Sequence, residues 1–235
     1  MNHKLDNTLF NKLKQKGFSP THAAEVGVYY PETSNIYNFI VNDIRSTLIE
    51  PDPDSIKRIK EHFSDRKNIE LHTVALCDFT GSLDLVQRGA STFSSALSSS
   101  PSIINDGYTV QEGDKFTVEA TTFDQIDDGS IDLLSIDIEG GEWFVIKHMK
   151  SRPAVVSIET HGAAYINPYI DEIRNWMDIN GYTPWYKDNT DTVYVLKNII
   201  SPDTNDRIML FLKNLHLPFR RGIKKLKLFL KSLFK

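Results

Sequence analysis

Apolar positions along this chain follow two periods in turn. "HAAEVGV" is a continuous apolar run of strand length, and "SNIYNFIVNDI" after it carries Ile36, Phe39, Ile40 and Ile44 at helical spacing, with Thr33 or Ser34 to cap it. "STLIEPD" predicts a second strand ending at Glu50, and "PDSIKRIKEHFSD" a helix with Ile56, Ile59 and Phe63 on one face. "IELHTVALCD" reads as a third strand. The pattern resumes with the strand "SIDLLSIDIEG", the helix "GEWFVIKHMKS", the strand "AVVSIETHG" and the helix "INPYIDEIRNWMDING". "YTPWYKDNTDTVYVLK" predicts a closing hairpin that turns around Asp188–Asp191. Strands alternating with short helices predict an α/β fold: a doubly wound, mostly parallel sheet, closed by an antiparallel hairpin. Ligands of such sheets bind outside the carboxyl ends of the strands.

Three segments depart from this core domain of residues 19–200. Residues 1–18 contain an amphipathic stretch, "KLDNTLFNKLKQKG", that predicts a helix ended by Gly17. "GSLDLVQ" and "KFTVEATTF" predict two extra strands. The Ser- and Gly-rich segment between them, 88–115, predicts a mobile cover over the site, since so long a connection is usually functional or disordered. The tail, 206–235, places Phe219, Ile223, Leu226, Leu230 and Leu233 on one helical face and Arg220, Lys224, Lys227 and Lys231 opposite, after a break expected at Pro218.

Charge separates the tail from the body. The net charge of −4 divides into a tail with nine basic residues and one acid, and a remainder with eighteen basic residues and thirty acids. The acidic body argues against a nucleic-acid surface, which needs clustered Lys and Arg. The basic amphipathic tail predicts peripheral contact with an anionic membrane. The alternative is docking on the acidic body or on a second subunit of a homo-oligomer. No run of about 18 apolar residues occurs, so no membrane-spanning helix is predicted. The N-terminus lacks a signal-type apolar run. Cys77 is the single cysteine, which excludes an intramolecular disulfide and suits a reducing compartment.

Chemistry concentrates at predicted strand ends. Glu50 ends the second strand, where a carboxylate accepts from both hydroxyls of a ribose. Asp78 ends the third apolar run, in reach of an adenine amino group. In "SIDIEGGEW", Asp137 and Glu139 alternate with Ile136 and Ile138, and in "SIETHG" Glu159 and His161 repeat the pattern. Two charges at the end of a buried strand need partners or a polar site. Neighbouring strands would gather Asp137, Glu139, Glu159 and His161 on one rim, a setting for a general base, a cationic ligand or a divalent metal. The first strand opens into "EVGVYYPETSN", which has one glycine where a dinucleotide loop has three. That counts against an NAD-dependent sugar oxidoreductase or epimerase, as does the lack of a Tyr-x-x-x-Lys pair.

The order of these motifs resembles the FkbM-type methyltransferase family across roughly residues 20–200. "EVG" stands where that family has an acid-x-Gly, "IEPDPDSIKRIK" matches its acid followed by proline, and "TVALCDFTGSLDL" its apolar–acid stretch. "STFSSAL", "VEATTFDQI", "SIDIEGGEW" and "VSIETHG" follow in the family's order. The family's longer glycine loop is replaced here by Tyr29, Tyr30 and Pro31. The resemblance implies a Rossmann-like fold and an S-adenosylmethionine-dependent O-methyltransferase. It assigns Glu25 and Gly27 to the cofactor's methionine part, Glu50 to its ribose, Asp78 to its adenine side and Asp137 to the active-site rim. Tyr30 or Tyr29 would pack on the ligand in place of the missing glycines. His161 is the preferred base, its unperturbed pKa lying closest to neutrality, with Glu159 or Asp137 orienting it or acting instead. With the tail, the resemblance implies a sugar hydroxyl on a lipid-linked or surface polysaccharide, such as an O-antigen, as acceptor. The expected place is cytoplasmic, peripheral at the inner face of the cell membrane. The competing readings are the NAD-dependent enzyme and a non-catalytic membrane-bound scaffold with a degenerate fold.

Overall fold

A computed structural model describes residues 8–88, 91–94, 100, 103–104, 108, 112–162, 165–188 and 190–233. A seven-stranded sheet forms the core. It contains β1 (His22–Val26), β2 (Arg45–Ile49), β3 (Ile69–His72), β8 (Leu133–Ile136), β9 (Val155–Glu159), β10 (Tyr182–Lys187) and β11 (Asp191–Leu196), in the order β10-β11-β9-β8-β1-β2-β3. All neighbours are parallel except those of β11, which runs antiparallel to both β9 and β10. This is the predicted doubly wound, Rossmann-like sheet with its closing hairpin.

Burial on both faces explains why the central strands read as unbroken apolar runs. Successive residues alternate between two cores: Ala23, Leu133 and Val155 enter one, while Ala24, Leu134 and Val156 enter the other. The first core is covered by α1 (Thr8–Gln15), α2 (Tyr37–Val41) and α3 (Pro53–His62), through residues such as Leu13, Ile40 and Ile59. The second is covered by α4 (Glu142–Lys147) and α5 (Ile170–Ile179), through Val145, Ile146, Ile173 and Met177. β1 lies between β2 and β8, so the chain's direction of winding reverses there. That reversal opens a crevice at the strands' carboxyl ends.

The stretch expected as one third strand is two. β3 pairs with β2 and ends at His72, whereas β4 (Ala75–Leu76) pairs with Ala120–Thr121 of β7 (Lys115–Thr121). The chain leaves one sheet and enters another within two residues, and an apolar run that serves two cores gives no sign of the division. The second sheet has the order β4-β7-β5-β6, with β5 (Gly81–Arg88) and β6 (Ser91–Ser94) antiparallel. β5 and β7 are the two extra strands expected from the sequence. Most of the expected cover, 88–115, lies outside the described residues.

Near the C-terminus, α6 (Thr204–Leu233) runs through Pro218 without the expected break. Proline removes one helical hydrogen bond, and the turns on either side hold the helix together. Lys16 ties α1 to this helix through Asp206 at 2.8 Å and to Asp203 at 2.9 Å, and Lys12 reaches Asp206 at 3.1 Å. Among the described residues no helix is long and apolar enough to cross a membrane.

Asp52 starts α3. Its carboxylate accepts from the main-chain N–H of Asp54 at 2.8 Å and of Ser55 at 3.0 Å, with Pro53 following as the first helical residue. Asp52→Ala is therefore expected to cost about 1 kcal/mol. The check is urea denaturation, in which the midpoint should fall while the slope stays that of the parent.

Candidate active site

The crevice beside β1 holds a cavity of about 450 Å³, within the roughly 300–1,000 Å³ usual for small-molecule sites. Its floor comes from the carboxyl ends of the main sheet: Glu25 near the end of β1 and Gly27 after it, Glu50 after β2, Asp137 and Glu139 after β8. Its roof comes from the second sheet: Leu83 and Leu85 of β5, Thr92 and Ser94 of β6. Asp78 and Phe79, just past β4, close one side.

Buried carboxylates organise the floor by accepting from the main chain. Glu25 is 3% exposed; Ser34 Oγ donates to it, as does the Asn35 N–H at 2.8 Å. These donors fix the turn between β1 and α2. Burial nevertheless pushes the Glu25 carboxyl up to about 7. Glu50 accepts from the N–H groups of Val28 at 2.9 Å, Tyr29 at 3.0 Å and Asp52 at 2.9 Å. It joins the loop after β1 to the start of α3 and keeps acceptor capacity toward the cavity. Burial pushes its pKa up too, against the three N–H donors.

Gly27 serves a contact not foreseen from the sequence. At φ +82° a Cβ there would lie 1.9 Å from the Asp137 carbonyl oxygen. The ends of β1 and β8 touch backbone to backbone, so any side chain would force them apart. Of the two tyrosines that follow, Tyr29, at φ 50°, lines the cavity and Tyr30 does not. The Arg58 guanidinium lies 4.7 Å from the Tyr30 ring centroid and 5.8 Å from that of Tyr29.

Asp78 borders the cavity, but its carboxylate is engaged elsewhere. Lys147 Nζ lies at 2.7 Å and 3.0 Å from its two oxygens and His148 Nε2 at 2.8 Å. These donors hold its pKa below the usual carboxylate range. The side chain expected to receive an adenine amino group thus ties the second sheet to the end of α4.

The expected rim assembles in part. Asp137 opens onto the cavity among other acids, and Glu139, at φ 59°, lines it beside Asp137. Glu159 does not line the cavity, but its carboxylate lies within 4.8 Å of those of Asp137 and Glu142. Burial first, then neighbouring acids, pushes Asp137 and Glu159 well above the usual carboxylate range. Glu142 was missed in the sequence, where it reads as an ordinary acid in a helix's first turn. It is fully buried and accepts from the N–H groups of Ile138 at 3.0 Å and Gly140 at 3.1 Å, and from Asn167 Nδ2. It holds the turn that carries Glu139.

His161 stands apart from this group and does not line the cavity. The N–H groups of Thr160 and His161 both donate to the Thr190 carbonyl, each at 3.0 Å. That doubling breaks the strand alternation which would have aimed His161 with Glu159. The imidazole is buried, with Nδ1 2.9 Å from Thr160 Oγ1. Burial, with Lys187 nearby, pushes its pKa down to about 4. A neutral histidine outside the cavity lining is not placed to take an acceptor's proton there.

A protein-family model described as the methyltransferase FkbM domain matches residues 24–184. No curated protein sequence matches the chain. Among solved structures, the methyltransferase domain of bacterial CtHen1 is similar at 11% identity and TM-score 0.45, over 80% of this chain and 95% of that one. The glycopeptide N-methyltransferase MtfA complexed with sinefungin is similar at 7% identity and TM-score 0.42, over 82% of this chain and 86% of that one. The ribosomal protein L11 methylase of Lactobacillus delbrueckii subsp. bulgaricus is similar at 10% identity and TM-score 0.41, over 79% of this chain and 73% of that one.

The raised acids make stability depend on pH in a definite direction. Glu25 binds its proton more tightly folded than unfolded, so its contribution is full below its ordinary value of 4.5 and is lost as pH rises through about 7. His161, lowered from 6.5 to about 4, has the opposite slope: its contribution is present above 6.5 and lost as pH falls through about 4. Comparison with a Glu25→Gln variant isolates the carboxyl. Between about pH 5 and 8 the melting temperature of chelator-treated wild type should fall more steeply with pH than that of Glu25→Gln. Parallel curves would contradict the assignment.

Proposed function

Because the chain belongs to the FkbM methyltransferase family, and so is an S-adenosylmethionine-dependent methyltransferase, we propose that it methylates a sugar hydroxyl of a lipid-linked or surface polysaccharide at a membrane face. The observation that carries the site assignment is the cavity floor. Glu50 there keeps acceptor capacity for a ribose diol, and Asp137 and Glu139 offer negative charge to a cationic ligand. Apolar Leu76, Leu83 and Leu85 supply walls for a flat ring. These residues fit the cofactor by size, charge and hydrogen bonding.

Bound S-adenosylmethionine supplies a methyl group on a sulfonium: the acceptor O–C bond forms as the S–C bond breaks, and the bonding pair stays on sulfur. The protein's part is to align the acceptor oxygen and to receive its proton. Orientation of that kind supplies a large share of such rate enhancements. Glu139 is the cavity group placed to take the proton, a role that passes to it from His161 because that ring does not line the cavity. Tyr29 takes the packing role expected of Tyr30.

The membrane reading is supported by α6. Ile208, Leu212, Leu215 and Phe219 follow at steps of four, three and four residues, and all are more than half exposed. Nine basic residues against one acid in 206–235 favour an anionic bilayer as the surface that covers them.

Three experiments test this reading. Purified protein should transfer labelled methyl from S-adenosylmethionine to a lipid-linked glycan fraction, and Glu50→Gln should weaken S-adenosylhomocysteine binding by roughly tenfold or more in calorimetry. Binding of NAD in place of S-adenosylhomocysteine would overturn it. For the tail, the triple variant Leu212→Gln, Leu215→Gln, Phe219→Gln should lose co-sedimentation with anionic liposomes while wild type retains it. Equal sedimentation would remove the membrane role.

A further inference from the structure

We propose that Asp137, Glu142 and Glu159 form a binding site for one divalent cation of the oxygen-seeking class, Mg²⁺, Mn²⁺ or Ca²⁺. The three acids come from three elements: the end of β8, the first turn of α4 and the end of β9. One oxygen from each lies within 4.8 Å of the others. Oxygen ligands bind such ions at about 2.0–2.6 Å, so ligands across one ion stand up to about 5 Å apart. The spacing is that of a shared ligand shell.

A second observation points to the same place. Glu159 is 6% exposed, and its Oε2 is buried with no hydrogen-bond partner among the described residues. Leaving a buried carboxylate oxygen unmatched is costly unless something else meets it. The cations of this edge, Lys147 and His148, pair with Asp78 instead. Glu142, by contrast, is held by two main-chain N–H groups and Asn167, which fixes one ligand in advance. Asp137 faces the cavity, so an ion held here presents its open side to whatever enters. This ligand set replaces the one suggested by the sequence. His161 is outside it, and Glu139 is left beside it on the cavity wall. The site stands on the geometry of the acids; its role, to hold the acceptor oxygen while Glu139 takes the proton, rests on the methyl-transfer reading.

The test uses chelator-treated full-length protein titrated with Mn²⁺, with free Mn²⁺ read by electron paramagnetic resonance. One Mn²⁺ should bind per chain. Glu159→Gln and, separately, Asp137→Asn should weaken it by roughly tenfold or more. Asp171→Asn, on the exposed side of α5, should bind as wild type does. Absence of stoichiometric Mn²⁺ on the wild type overturns the site whatever the variants do, and so does unchanged affinity in a folded Glu159→Gln or Asp137→Asn protein. If neither variant folds, the wild-type stoichiometry, with a melting temperature raised by Mn²⁺ and lowered by chelator, carries the test. Calorimetry with S-adenosylhomocysteine on the same samples separates the two claims. Mn²⁺ binding without it sinks only the methyl-transfer role, and the reverse sinks only the cation site.

Discussion

Negative charge at the carboxyl edge of the sheet is the constraint around which the rest is arranged. Glu25, Glu50, Asp137, Glu142, Glu159 and Asp191 all lie at or near strand ends in a small region. Four of them, Glu25, Glu50, Glu142 and Asp191, have hydrogen-bond donors that fix the local chain. Asp137 and Glu159 are set among neighbouring acids, and burial together with those acids pushes both pKa values up. A region built this way favours positive ligands: a sulfonium, an ammonium or a metal ion reduces the field that the folded chain creates. The loops after β1, β2 and β8 keep their shape because carboxylates tie them down, so the charge that selects a ligand also builds its container.

The sheet was legible because each central strand is buried on both faces and reads as apolar throughout, while the helices between repeat at helical spacing. The failures have local causes. "IELHTVALCD" looks continuous because apolar residues recur through both halves, yet Ala75–Leu76 finds its partner in β7, which no local pattern announces. His161 left the expected rim because Thr160 and His161 share one carbonyl, a detail of pairing with the far side of the hairpin. Glu142 was passed over because an acid in a helix's first turn already has an ordinary explanation. The only sequence signal would have been Gly140 two residues before it, whose N–H needs an acceptor once buried.

Gly27 has a structural reason that its place after the first strand did not suggest. A glycine after the first strand was expected to let a ligand approach the backbone. In the fold it lets β8 approach, with the Asp137 carbonyl where a side chain would be. The two roles are compatible, since the contact draws Asp137 to the cavity floor. The glycine thus shapes the cavity through the strand it admits.

The cavity's floor and roof belong to different sheets, each with its own hydrogen-bonded ladder. The floor holds the acids at the strand ends of the main sheet. The roof meets the ligand through β5 and β6, which end the small sheet opposite β4. Substitutions or insertions in the roof can therefore accumulate without disturbing the register of β1, β2 and β8. The chemistry of the cavity and its shape are thus set by parts that do not share a ladder.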